Sequence, residues 1–245
     1  GLDNDGLNYF IENHLPYLST CQAPILVSIA GRTEEEFVTM AQSLQRWQKG
    51  QNRSDNSEQA TPTIAALELN ISCPNVTGGV DYGTNATSCY GLIHGVRKAV
   101  SIPIVAKLTP NVTNITEIAA AAKEAGADAV ALINTLLGMS IDWRKQKPML
   151  GNIMGGLSGP AIKPVALRCV YQVASSVDIP IIGIGGIATI DDVMEFLVAG
   201  ASAVQIGTAN YYDPTVTMKL LDDLPQVVAS LGKAKVAEVI KTLKV

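Results

Sequence analysis

Two stretches, "EAGADAVALINT" (124–135) and "VAGASAVQIGTA" (198–209), nearly copy one another, and they limit the possible folds more than any other feature of the chain. In each, a helical pattern stops at a glycine, Gly126 or Gly200, where a left-handed residue can close the last turn. A short apolar run follows at once. Read with the rest of the chain, this helix–glycine–strand punctuation belongs to a series of strand-like runs: "PILVSIA" (24–30), "IAALELNIS" (64–72), "PIVAKLT" (103–109), "AVALINT" (129–135), "PIIGIGGI" (180–187) and "AVQIGTA" (203–209). All are short, largely apolar and rich in Val and Ile, as strands covered on both faces of a parallel sheet should be. Three open with proline (Pro24, Pro103, Pro180), which is tolerated at the first strand position because its missing N–H breaks no ladder bond.

Helix starts fall between these runs. Thr33 with Glu36 and Asn114 with Glu117 have capping-box spacing, and Thr189 with Asp192 is an acidic version of it. Repeated βα units of this kind require a parallel sheet, either closed into a barrel or doubly wound. The stretch "KGQNRSDNSEQATPT" (49–63) is polar and longer than most connections, so it reads as a solvated loop. The chain opens on "GLDNDGLNYFIENHLP", a loop and amphipathic helix with no strand before it. A complete (β/α)8 barrel needs eight strands and the pattern supplies six. The expectation is therefore a single α/β domain over residues 1–245: a TIM (β/α)8-type barrel, incomplete, with about six βα units.

Bulk properties remove several function classes. The 245 residues are 47% apolar with a net charge of −4, material for one large core. With a pI near 5.2, a nucleic-acid partner or an anionic membrane surface is not expected. No apolar run reaches the roughly 18 residues of a membrane span, and no secretion signal opens the chain. The four cysteines (Cys21, Cys73, Cys89, Cys169) show no CxxC pairing. A reducing, cytoplasmic setting with free thiols is expected, and the six N-x-S/T sequons count as chance.

The residues with chemistry gather at the C-terminal ends of the strand runs. In a barrel of this type the loops after the last two strands commonly bind phosphate through exposed backbone N–H groups. Here those loops carry Gly185, Gly186, Gly207 and Thr208. Glycines let the backbone approach an anion and the threonine adds a hydroxyl, although tight strand–helix turns would use the same residues. Lys107 interrupts the apolar run "VAKLT", where a lysine needs a polar site or an anion. Asn134 and Thr135 close "ALINT" as site residues or as a plain turn. Cys73, in "NISCPN" between Asn70 and Asn75, differs in kind from Cys169, which a helix should bury; Cys21 and Cys89 also read as structural. A thiol at Cys73 could be a nucleophile, a metal ligand or a general base. No His or Cys stands at ligand spacing, and His14 and His94 fall on helical segments, so no metal is expected.

These motifs, together with "VAKLTPNV", "INTLLGM", "GGLSGPAIKPVALR", "PIIGIGGI" and "VQIGTAN", resemble the FMN-dependent dihydroorotate dehydrogenases of pyrimidine biosynthesis, and among them the NAD-linked class 1B catalytic subunits. The resemblance runs from Gly1 to about Pro214 and is most specific from Asn134 to Leu167. It implies oxidation of dihydroorotate to orotate. Cys73 would be the base at C5, while Asn70, Asn75, Asn134 and Thr135 would hold the orotate ring and its carboxylate. FMN would be held by Asn70, Lys107, Ile133, Ser158, Gly159, Gly185, Gly186, Gly207 and Thr208, with Lys107 at the flavin's N1/O2 edge. "GGVDYGT" (78–84) would be a flap over the site. The resemblance further implies a homodimer and a partner subunit carrying FAD and a [2Fe–2S] cluster that passes electrons to NAD.

The chain also departs from the family. The family's first two strands would lie upstream of Gly1, together with a flavin-contacting turn and an active-site lysine. Ser28 stands where relatives usually have asparagine, and the stretch between Asn75 and Gly78 is one residue short. Three other readings follow from the residues: a flavoprotein that reduces uracil or thymine, a truncated non-catalytic paralogue, and a phosphate-binding barrel with Lys107 as a Schiff-base lysine. Asn75 argues against the first of these, because the pyrimidine-reducing relatives carry histidine there.

Overall fold

The computed structural model describes residues 4–21, 23–51, 64–72 and 82–244. Along the chain run α1 (Gly6–Tyr9), a π-helical turn (Phe10–His14), α2 (Leu15–Leu18), β1 (Ile25–Ile29), α3 (Glu34–Gln51), β2 (Ile64–Asn70), α4 (Ala86–Ala99), β3 (Ile104–Leu108), α5 (Ile115–Glu124) and β4 (Ala129–Leu132). An excursion follows, made of β5 (Leu136–Met139), β6 (Ile141–Asp142), β7 (Lys147–Pro148) and β8 (Met154–Leu157). The alternation then resumes with a 3-10 turn (Pro160–Ile162), α6 (Lys163–Ser176), β9 (Ile181–Ile184), α7 (Ile190–Ala199), β10 (Ala203–Gln205), α8 (Ala209–Tyr212) and α9 (Val216–Ser230).

The six expected strands form one sheet in the order β1-β2-β3-β4-β9-β10. Neighbours follow chain order from first to last, so the sheet has no point at which the winding reverses. A doubly wound sheet needs such a reversal, and a barrel does not. The pairings of β1 with β2, β4 with β9 and β9 with β10 are all parallel. This is the α/β architecture expected of an incomplete (β/α)8 barrel.

The chain divides into two compact units, residues 1–106 with 121–128 and residues 107–120 with 129–245. In the first, Ile64, Leu67 and Leu69 of β2 are fully buried together with Phe37 and Leu44 of α3 and Leu92 of α4. Burial along β2 is nearly continuous, as a strand covered on both faces requires. In the second, Phe196 of α7 packs onto β9: a Cβ added to Gly183 would stand 2.5 Å from its ring. The near-repeat closes its two helices in the same way. Gly126 and Gly200 have φ of +98° and +122°, and the following N–H groups of Ala127 and Ala201 reach back to Ala122 O and Phe196 O.

Helix starts differ in how fully they close. Thr189 forms a complete capping box: its hydroxyl accepts from Asp192 N at 3.2 Å and its own N–H donates to Asp192 Oδ2 at 2.8 Å. Thr33 accepts from Glu36 N, but Glu36 turns its carboxylate to Arg32 N, one residue before the cap. Asn114 donates to Glu117 Oε1 and accepts from Thr116 N.

The structure corrects the sequence reading in several places. Helix α3 continues through Lys49 and Gly50, so the polar stretch read as a loop from residue 49 begins as helix; residues 52–63 lie outside the described residues. Cys21, read as structural, is exposed, because it follows the last turn of α2 rather than a core-facing position; Cys89 and Cys169 are buried as expected. Each strand is shorter at its C-terminal end than its apolar run, since the last residues of the run turn into the following loops. The excursion between β4 and α6 was not legible as strands. It forms two antiparallel ribbons, β5 with β8 and β6 with β7.

Candidate active site

The second compact unit assembles its strand tips residue by residue. After β3, Asn134 N donates to Leu108 O at 2.7 Å, and after β4, Ile133 N donates to Ile184 O at 2.8 Å, so the ends of β3, β4 and β9 are tied in sequence. Gly185 lies against Ile133, with 3.6 Å from its ideal Cβ position to Cγ1 of that residue. Gly186, at φ +74°, lies against Gly159: a Cβ there would stand 2.8 Å from Gly159 O, 3.0 Å from Lys163 Cβ and 3.1 Å from Lys163 N. Gly159, at φ +91°, in turn faces Thr208 Cγ2 at 3.5 Å, and Thr208 Oγ1 donates to Ser158 Oγ at 2.8 Å. Only glycine permits both the positive φ and the close backbone approach at Gly186.

The loop after β4 is held from one side by a residue that periodicity did not single out. Asn111 Nδ2 donates to Thr109 Oγ1 at 2.8 Å and to Thr135 O at 3.2 Å, while its Oδ1 accepts from Leu137 N at 2.9 Å. Thr109 is buried. Asn134 Oδ1 accepts from Thr135 N at 2.9 Å, and Gly156 on β8 leaves the room that the Thr135 side chain fills. Lys107 is half-buried on β3, between buried Ala106 and Leu108.

In the first unit, Asn70 is the last residue of β2 and half-buried, and Ser72 just beyond it is buried. Two residues earlier, the buried Glu68 accepts from Ser28 Oγ at 3.0 Å, across the β1–β2 pairing in which the two residues are partners. Cys73 and Asn75, with residues 78–81 of the expected flap, lie outside the described residues. The other thiols are poor nucleophiles where they are buried: burial pushes Cys89 up to about 12, and pushes Cys169 up against an opposing pull from Arg168. Among the described residues no group of His, Cys, Asp and Glu is placed to hold a metal ion. No described helix is long and apolar enough to cross a membrane.

Comparison with known proteins gives the family. The family model described as dihydroorotate dehydrogenase matches residues 1–228. The chain belongs to the dihydroorotate dehydrogenase family. It is 46% identical over 244 residues to the catalytic subunit of dihydroorotate dehydrogenase B (NAD(+)) of Geotalea uraniireducens, covering 99% of this chain and 75% of that one. The protein of the same name from Geobacter sulfurreducens is 46% identical over 246 residues, covering 100% of this chain and 76% of its own length. The one from Bacillus cytotoxicus is 46% identical over 239 residues, covering 97% and 73%.

The strand tips of this dihydroorotate dehydrogenase suit the phosphate of FMN, the cofactor the resemblance implies, in three respects. Gly186 packs so closely on Gly159 and Lys163 that any side chain would disrupt the cradle. Gly207 faces open space, with nothing within 4 Å of its Cβ position, so a ligand can approach its backbone. Ser158 and Thr208 present two hydroxyls at one place, and hydroxyls and backbone N–H groups are the donors a phosphate uses.

Two more dihydroorotate dehydrogenase residues in this unit escaped the sequence reading as site residues. Lys163 Nζ meets Asp192 Oδ1 at 2.6 Å and Glu195 Oε2 at 2.9 Å. Asp192 Oδ2 accepts from Ala188 N at 2.9 Å and from Thr189 N at 2.8 Å. Burial pushes the Asp192 carboxyl up, but the Lys163 ammonium and these backbone donors outweigh it and bring it down to about 2. The same two carboxylates raise Lys163.

Proposed function

We propose that this chain, acting as a single FMN-binding domain over residues 1–245, oxidises dihydroorotate to orotate in pyrimidine biosynthesis. One observation carries the reading beyond family membership: Ser158, Gly159, Gly186 and Thr208 converge at the strand tips, beside the Ile133–Thr135 loop that follows β4. FMN, when bound, supplies the acceptor for the hydride that leaves C6 of the substrate.

The chain's own residues do the rest. Cys73, as thiolate, takes the proton from C5 next to the ring carbonyl and becomes a thiol. Asn70, Asn75, Asn134 and Thr135 hold the ring and its carboxylate through neutral hydrogen bonds that leave the base active. Lys107 supplies positive charge for the flavin's pyrimidine edge, where negative charge accumulates. Ile133 lines the ring, and Ser158, Gly159, Gly185, Gly186, Gly207 and Thr208 hold the phosphate.

The relatives' name, catalytic subunit, supports a second subunit for this chain as well. In this reading that subunit carries FAD and a [2Fe–2S] cluster and hands electrons to NAD, the catalytic chain is a homodimer, and the assembly works in the cytoplasm. The ribbons after β4 expose Met139, Ile141, Trp143, Met149, Ile153 and Met154, apolar surface of the kind that subunit contacts cover.

The test is turnover with an artificial electron acceptor after loading with FMN. Orotate forms from dihydroorotate, and dihydrouracil is left unchanged. A chain that stays colourless in excess FMN, or that prefers dihydrouracil, contradicts the proposal.

A further inference from the structure

The ion pair of Lys163 with Asp192 and Glu195 is built as a brace. Lys163 is the first residue of α6 and follows Gly159 by four positions through the 3-10 turn Pro160–Ile162. Asp192 sits in the first turn of α7 and follows Gly186 by six positions. The lysine therefore ends one loop of the phosphate cradle and the aspartate ends another.

Asp192 divides its two oxygens between the two loops. Oδ2 holds Ala188 N and Thr189 N of its own loop, and Oδ1 holds Lys163 Nζ of the other. Glu195 takes the ammonium from the solvent side; its side chain is 47% exposed, against 11% for Asp192 and 26% for Lys163. With two carboxylates on one ammonium, the trio carries net negative charge. It is a poor direct ligand for a phosphate and a good tie between loops.

On the cradle side, the same two loops touch through backbone. Gly186 has no room for a side chain there: a Cβ would stand 2.8 Å from Gly159 O, 3.0 Å from Lys163 Cβ and 3.1 Å from Lys163 N. Two attachments, the close packing at Gly186 and the ion pair behind it, define the distance between Gly159 and Gly186. Loop tips that are held at only one of these points can separate, and a phosphate cradle made of backbone N–H groups loses its geometry with a shift of a fraction of an ångström.

We propose that Lys163 is a positioning residue for the phosphate arm of the cofactor: bridged to Asp192 and Glu195, it locks the Gly159 loop to the Gly186 loop and so sets the width of the phosphate cradle. This rests on the FMN reading of the site given above. The Lys163 ammonium is held by Asp192 and Glu195, so its effect is expected on ligands that carry the phosphate.

Binding of FMN and of riboflavin, followed by quenching of flavin fluorescence, separates the possibilities. Lys163→Met is expected to weaken FMN by about tenfold while riboflavin binding stays within about twofold of wild type. Lys163→Arg, which keeps the charge, restores most of the loss. In an Asp192→Asn background, where only Glu195 still holds the ammonium, Lys163→Met costs less than it does alone. Equal weakening of both ligands, or unchanged FMN binding in a variant that melts as the parent does, overturns the proposal.

Should Lys163→Met fail to fold, Glu195→Gln removes the half-exposed arm alone. A loss of about threefold for FMN only supports the brace, and none overturns it. A wild-type chain that binds FMN no better than riboflavin defeats the phosphate reading itself. A wild-type preference for FMN that survives intact in Lys163→Met defeats the brace and leaves that reading standing.

Discussion

Thr208 donates its hydroxyl hydrogen to Ser158 Oγ at 2.8 Å, joining residues fifty positions apart in the chain. Ser158 is exposed and Thr208 half-buried, so the pair does little for the core. Its location beside Gly159 gives it another use: Thr208 spends its one hydroxyl hydrogen on Ser158 and leaves the Ser158 hydroxyl hydrogen to donate at the cradle's edge. Thr208→Val is expected to weaken FMN by roughly tenfold, because the Ser158 hydroxyl is no longer aimed at the charged group, while the melting temperature barely moves. Fluorescence titration together with a thermal melt checks both halves.

Gly186 and Gly207 should respond to alanine in opposite ways. At Gly186 the φ of +74° and the 2.8 Å approach to Gly159 O make Gly186→Ala destabilising by about 1–3 kcal/mol, read from urea unfolding. At Gly207 nothing lies within 4 Å, so Gly207→Ala keeps the parent's stability. Its methyl group nevertheless enters the space assigned to the phosphate, and FMN binding falls. Equal stability losses at the two positions would contradict this placement of the cradle.

Asp192 should leave a mark on acid unfolding. Its carboxyl is held at about 2, below the ordinary 3.8, so its contribution is fully present above about pH 4 and is lost as the pH falls through 2. That contribution is about 2 kcal/mol. Asp213 also titrates near 2, through Lys219 and Thr215, so the quantity to read is the difference between wild type and Asp192→Asn. The variant is expected to be less stable at pH 6 and to approach wild type by pH 2. At the alkaline end Lys163, raised above 10.5, keeps its share until the pH passes its folded value.

Arg97 tests the N-terminal end of β3 in the first compact unit. It donates to Asp128 Oδ2 and to Ile102 O, each at 3.0 Å, and to Val100 O, while Asp128 Oδ2 also accepts from Ile104 N at the start of β3. The N-terminal ends of barrel strands serve stability rather than chemistry. Arg97→Ala strands two backbone carbonyls and is expected to cost roughly 2–3 kcal/mol in urea unfolding, with FMN affinity unchanged at temperatures where the variant is folded.

What could be read in advance follows from physics of short range. Val/Ile runs announce strands, and a glycine at the end of a helix announces the turn before the next one; both depend on neighbours a few residues apart. The ends of the runs misled, since Asn134, Thr135, Gly185 and Gly207 look like strand continuations and lie in the loops that follow the strands. The β5–β8 ribbon was invisible because it is held by cross-strand pairing of glycine- and methionine-rich segments, with Gly138 opposite Gly155 and Met139 opposite Met154. The Lys163–Asp192 tie spans 29 positions, a separation that no periodicity reports. Its trace in the sequence was the capping spacing of Thr189 and Asp192, which says where the aspartate is but not what else it holds. Pro225 lies inside α9, where local propensity alone argues for a break.

Cys73 decides the chemistry. With FMN bound and oxygen excluded, rapid mixing with dihydroorotate is followed by the flavin's visible absorbance. Wild type is expected to lose that absorbance, and Cys73→Ala to lose it at least about a hundredfold more slowly with FMN still bound. If the alanine variant bleaches at the wild-type rate, Cys73 is not the base; if dihydroorotate leaves the wild-type flavin oxidised, the reaction assigned to this chain is wrong.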